Sequence, residues 1–263
     1  MSFIALLCSL RPTLVNQGSL RDGTLEREED LLEMQATRAL FEPHIHPLCE
    51  SPCGGEGFTF AFIHNERHYP TLRVTALDEA GISSIPHLLH TLMQHPPFHL
   101  GDRWYTCDST DLSHSTWAGL STWADFLAPP YGHTIRLHLG TPLILMKMKL
   151  AARETAHFPS PRPLFTTLAH RWHMLGGPPL PADIEPLLDN GSIVLADYRL
   201  QAKRITLDEQ DHLGFLGWIS YECRTKSTVA QVALTALARF AFFAGIGEFT
   251  QFGMGTTRVS IGA

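Results

Sequence analysis

A chain of 263 residues is long enough for two domains of ordinary size, and its 44% apolar content supplies their cores. No run of 18 apolar residues occurs, and the opening MSFIALLCSL is too short for a secretion signal and lacks its basic start and small-residue cleavage site, so the sequence predicts a cytoplasmic protein with no membrane partner. A net charge of −6 speaks against a nucleic-acid partner until it is divided: residues 1–131 hold 7 Lys and Arg against 16 Asp and Glu, whereas residues 132–263 hold 13 against 10.

In chain order, SFIALLCSL reads as a strand and residues 24–41 as a charged amphipathic helix. GFTFAFI and TLRVTAL form a strand pair, residues 82–93 a helix interrupted at Pro86, and RWYTCDS a last strand. APPYGHT, residues 128–134, sets two prolines and a glycine between two periodic regions and reads as a linker. It divides the chain into domains 1–128 and 129–263. Beyond it, residues 134–146 alternate as a strand, and residues 161–175 open with prolines suited to a first helical turn. Residues 191–207 and 212–224 are two strands of a hairpin, residues 227–245 a helix from a Ser/Thr cap to Gly245, and TRVSIGA a final strand. Both halves therefore follow the order β-α-β-β-α-β, which predicts an α+β protein of two tandem ferredoxin-like domains.

The five cysteines are an odd set without paired spacing and read as reduced structural thiols. Cys49 and Cys53 follow His44 and His46, but this order matches no zinc spacing, so neither metal nor cofactor is expected. The C-terminal FAGIGEFTQFGMGTTRVS admits two readings. It is an amide-lined cradle for a phosphate, or a tight helix-to-strand connection with Gly245 or Gly247 as the helix cap. The basic residues Arg136, Lys147, Lys149, Arg199, Lys203 and Arg204 likewise form either a phosphate-binding stripe or a solvated face.

The glycines themselves carry a resemblance. Gly245, Gly247, Thr250, Gly253 and Gly255 spell G-x-G-x-x-T-x-x-G-x-G between an apolar helix and a strand. In this, and in WAGLSTWADFLAPP, PRPLFTTLAHRWHML and the hairpin that follows, residues 70–263 resemble the CRISPR-associated repeat-processing endoribonucleases of the RAMP superfamily. The chain departs from them at Glu248, where the family commonly has a basic residue, and in the segment from NQGSLRDG to HPLCESPCGG.

The resemblance implies metal-independent cleavage of CRISPR repeat RNA, with the 2′-hydroxyl before the scissile phosphate as nucleophile and a 2′,3′-cyclic phosphate and 5′-hydroxyl as products. It implies partners too: repeat RNA, and other subunits of an effector complex in which the product is retained. The active site is expected in the first domain, where His44 and His46 follow the first helix and Arg38 lies on its last turn, with Arg21 before it. Histidine suits proton transfer, and arginine suits the charge of the transition state. RNA contacts are expected from the glycine loop and the six basic residues. The alternative is an inactive repeat-RNA-binding subunit of the same fold.

Overall fold

The computed structural model describes residues 1–12, 58–64, 70–94, 98–100, 103–112, 116–145, 149–150, 153–154, 158–207 and 210–262. The expected helix 24–41 lies outside these residues, as do Arg21, Arg38, His44, His46, Cys49, Cys53 and Lys147. Two compact units result: residues 1–120 with 251–253, and residues 121–250 with 254–263. The stretch 128–134, read as the linker, falls inside the second unit.

The first unit comprises β1 (Ser2–Pro12), β2 (Phe58–His64), β3 (Pro70–Ala76), α1 (Glu79–Gln94), β4 (Phe98–Leu100) and β5 (Arg103–Asp111). Its sheet runs β2-β3-β1-β5-β4 with antiparallel neighbours. Counted along the βαββαβ repeat, the first four strands stand in the order second, third, first, fourth, which is the ferredoxin-like arrangement. Period-two alternation in β3 puts Leu72, Val74 and Ala76 on one face and Thr71, Arg73 and Thr75 on the other, yet all six are buried. Arg73 is only 1% exposed. Its Nε donates to the Trp117 carbonyl and its Nη1 to Thr75 Oγ1, both at 2.8 Å, and burial pushes its pKa down to about 9.

Pro86 does not interrupt α1, contrary to the sequence reading. The helix runs through it, with Pro86 itself exposed and Ile85 and Leu88 buried. A proline removes one helical hydrogen bond, and the apolar packing of its neighbours holds the turn. Asp78 Oδ1 accepts from the Gly81 N–H at 2.6 Å and so satisfies an orphan donor at the helix start.

After β6 (Gly119–Thr122) comes α2 (Trp123–Phe126), closed by a capping box between Thr122 and Asp125. The second unit continues with β7 (Thr134–Ile144), β8 (Lys149–Leu150), β9 (Arg153–Glu154), α3 (Pro161–Met174), α4 (Ile184–Asp189), β10 (Ile193–Leu207), β11 (Gln210–Cys223), α5 (Thr228–Ala244) and β12 (Thr257–Gly262). Its sheet order, β10-β11-β7-β12, repeats the second-third-first-fourth arrangement of the first unit. Two tandem ferredoxin-like folds are therefore present, as the periodicity predicts.

Helices α3 and α5 cover one face of the second sheet. Phe165 of α3 meets Tyr221 of β11 edge-on with ring centroids 5.1 Å apart, and the Tyr221 hydroxyl donates to the Pro159 carbonyl at 2.7 Å. Trp123 and Phe126 of α2 pack with Trp172 of α3 and Phe240 of α5, Trp123 and Trp172 having centroids 4.4 Å apart. Arg239 of α5 ties down the stretch after α2, donating to the carbonyls of Phe126 at 3.1 Å and Pro130 at 2.7 Å. Cys8, Cys107 and Cys223 are free thiols.

Candidate nucleic-acid interface

With one face of the second sheet under helices, the other carries every second residue of its strands. In β7, Ile135, Leu137 and Leu139 are buried, while Arg136 is exposed and His138 half-buried between them. The ladder register carries this alternation across the sheet. His138 stands opposite Trp218 of β11 on one side and Arg258 of β12 on the other, and Trp218 stands opposite Arg199 of β10. One row across the four strands thus reads Arg199, Trp218, His138, Arg258. In the neighbouring row, Arg136 lies over the Trp218 ring, its guanidinium carbon 4.2 Å from the ring centroid. That is a close cation–π distance.

His138 senses this environment. Burial, then the positive charges of Arg258 and Arg136, lower its pKa from the ordinary value. It is therefore a neutral imidazole at pH 7, able both to donate and to accept a hydrogen bond.

The glycine loop lies at the end of α5. Gly245 has φ 71° and its N–H donates to the Ala241 carbonyl at 2.9 Å. Two of the glycines are demanded by close approach. A Cβ on Gly247 (φ 80°) would stand 2.3 Å from the Ile144 carbonyl oxygen, and one on Gly255 (φ 63°) 1.8 Å from that of Ile246. Within the loop and against β7, Ile246 N–H donates to the Gly255 carbonyl, Glu248 to Ile144, Met254 to Phe249, and Gly255 to Pro142, at 2.8 to 3.2 Å. The Thr256 N–H is bound to Thr141 Oγ1 at 2.8 Å. These amides face inward, the geometry of a tight helix-to-strand connection. Gly253 also has positive φ, at 85°, and Thr250 is buried at the start of a 3-10 turn.

The basic residues singled out from sequence separate. Arg136 and Arg199 share the open face with Trp218 between them. Lys203 is half-buried further along β10, whereas exposed Arg204 pairs with Asp211 across the hairpin at 3.7 Å. Lys149 sits on the two-residue strand β8, opposite Glu154 of β9. Arg171, another cation of the basic half, is buried and donates from Nη1 to the Ala244 carbonyl at 2.5 Å, at the C-terminal end of α5. Arg162 is paired with Asp189. Sequence reasoning missed Trp218, His138 and Arg258. The signal was present in TIRLHL and GWISY, where polar or aromatic residues alternate with buried aliphatic ones.

Two split βαβ units of like topology, the second ending in G-x-G-x-x-T-x-x-G-x-G, define the tandem ferredoxin-like class. Residues 137–257 match the family model described as CRISPR-associated endoribonuclease Cas6, in line with the resemblance carried by the glycines. The fold extends the likeness over the whole chain. A Cas6 product complex gives a TM-score of 0.73 at 23% identity, covering 99% of this chain and 100% of that one. Cas6 of Thermus thermophilus gives 0.72 at 22% identity over 98% of both chains. A Cas6-related protein of Pyrococcus furiosus gives 0.60 at 16% identity, again over 98% of both. At these identities the structures speak to fold. No curated protein matches the sequence. Among the described residues no helix is long and apolar enough to cross a membrane.

Proposed function

We propose that this chain is an endoribonuclease that binds CRISPR repeat RNA and cuts it into guide RNA without a metal, remaining on its product in an effector complex. The observation that carries this reading is the endoribonuclease-family match over residues 137–257, which contains the whole glycine motif from Gly245 to Gly255. Similar folds have been solved as a product complex and a substrate-mimic complex, and one as a histidine-to-alanine mutant.

In the proposed reaction the 2′-hydroxyl attacks the adjacent phosphorus, the P–O5′ bond breaks, and a 2′,3′-cyclic phosphate and a 5′-hydroxyl remain. His44 or His46 takes the 2′-hydroxyl proton and the other supplies one to the leaving oxygen, while Arg38 and Arg21 stabilise the charge on the phosphorane-like transition state. The second domain holds the substrate through its basic residues Arg136, Lys147, Lys149, Arg199, Lys203 and Arg204. Its glycine loop, Gly245, Gly247, Thr250, Gly253 and Gly255, keeps α5 and β12 in place beside them.

The test is repeat RNA incubated with protein in EDTA. Products ending in a cyclic phosphate support the reading, and a single-turnover rate lost in His46→Ala or Arg38→Ala with binding retained supports the assigned roles. RNA bound but uncut selects the inactive subunit instead. Cleavage abolished by EDTA and restored by magnesium overturns the metal-free mechanism.

A further inference from the structure

We propose that the open face of the second sheet is a stacking platform for single-stranded RNA centred on Trp218, a site that rests on the reading of RNA as partner and names the part of it that is held. Residues 136, 138, 199, 218 and 258 are distant in sequence, yet the ladder register gathers them on one side of the sheet, opposite the face covered by α3 and α5. They comprise an indole, an imidazole held neutral, and three guanidinium groups.

Their chemistry selects an occupant. Arg136 is exposed and lies 4.2 Å over the Trp218 ring, so ring and guanidinium already form a layered π surface. A nucleobase adds to such a surface by stacking, and arginine stacks on aromatic planes while keeping its charge. Arg199 on β10 and Arg258 on β12 flank the indole from the two outer strands, about 14 Å apart at the usual strand spacing of about 4.8 Å. That leaves room for more than one nucleotide, with phosphates drawn to the flanking cations. Neutral His138 beside Trp218 offers one donor and one acceptor to a base edge.

Paired bases hide their planes within the helical stack, so a duplex cannot use an indole in this way. Trp and Arg also serve protein interfaces, but such an interface closes over an apolar core, and this face offers a single indole among three cations. The occupant is therefore an unpaired stretch of RNA.

The experiment measures binding of a fluorescent single-stranded oligouridylate and of an RNA duplex to the full chain and to Trp218→Ala, Trp218→Phe and Arg136→Gln, with thermal melts to confirm the fold. Trp218→Ala should weaken oligouridylate binding about tenfold, since base-on-aromatic stacking is worth on the order of that per base. Trp218→Phe should restore most of the loss, and duplex binding should stay unchanged. Equal affinity of wild type and well-folded Trp218→Ala for the oligouridylate overturns the platform, and so does an equal loss for single strand and duplex.

The outcome separates from that of the proposed function. Repeat RNA cut normally by a Trp218→Ala chain with unaltered oligouridylate affinity sinks only the platform. Oligouridylate held through Trp218 by a chain that leaves repeat RNA uncut sinks only the nuclease reading.

Discussion

The two sheets have the same strand order and opposite fates for their polar faces. In the first, Thr71, Arg73 and Thr75 alternate with aliphatic residues as a solvent-facing set would, yet they are buried, and the Arg73 guanidinium is engaged by Trp117 and Thr75. In the second, the alternation in β7 delivers Arg136 to the surface, where it lies on Trp218. One arginine is part of a core, and the other is available to a ligand. Strand order does not make a nucleic-acid platform; whether the polar face is covered does.

The largest expected effect lies on the covered side. Arg73→Ala removes a donor from the Trp117 carbonyl and from Thr75 and leaves an empty volume, which should cost about 3 kcal/mol in chemical denaturation. Oligouridylate affinity per folded molecule should not change. A loss below about 1 kcal/mol would mean that the buried guanidinium contributes little, and the contrast with Arg136 would collapse.

Next come two glycines of the second unit with similar angles. Gly255→Ala meets the Ile246 carbonyl as well as an unfavourable φ of 63°, whereas Gly191→Ala, at φ 71°, has nothing within 4 Å. The first should cost about 3 kcal/mol and the second about 1, since only the first adds a steric clash to the backbone strain. Equal costs in melting experiments would show that the loop relaxes around the new methyl group.

On the open side, Arg136→Gln should leave the melting temperature unchanged. RNA affinity should fall severalfold, and the slope of log affinity against log salt should shrink by about one charge. An unaltered salt slope would return Arg136 to a packing role over the indole.

A smaller effect follows pH. The folded pKa of His138 is below that of the unfolded chain, so as pH falls through the ordinary histidine value near 6.5 the unfolded state takes up the proton first. This group's contribution to stability therefore declines as the pH drops below that value. RNA affinity should rise once His138 itself is protonated, because charge is added to the face beside Arg136 and Arg258. Arg258→Ala should move the imidazole titration, followed by NMR, upward toward the ordinary value. A titration that stays in place would leave burial and Arg136 as its causes.

The smallest effect is expected at Arg204→Ala. Its partner Asp211 is 3.7 Å away and both side chains are more than half exposed, so denaturation should register less than about 0.5 kcal/mol.

Local pattern decided much of this protein. Alternation of period two and helical spacing placed β1, β3, β5, β7, the β10–β11 hairpin, α3, α5 and β12, because a residue's burial in one element follows from its neighbours a few positions away. The glycine motif was equally legible, since Gly247 and Gly255 answer to steric demands that leave only one residue type. What required the tertiary structure was everything that depends on distant partners. Pro86 sits within a continuous helix because buried Ile85 and Leu88 hold the turn. Arg171 is withdrawn from the basic half to meet the end of α5, and Arg73 is buried where alternation alone would expose it. The row Arg199, Trp218, His138, Arg258 joins four strands whose register is shifted by irregularities between Leu195 and Asp197 and between Phe215 and Gly217. A one-residue slip there would send Trp218 or Arg199 to the opposite face, and such register is set by packing across the whole sheet, not by any single strand.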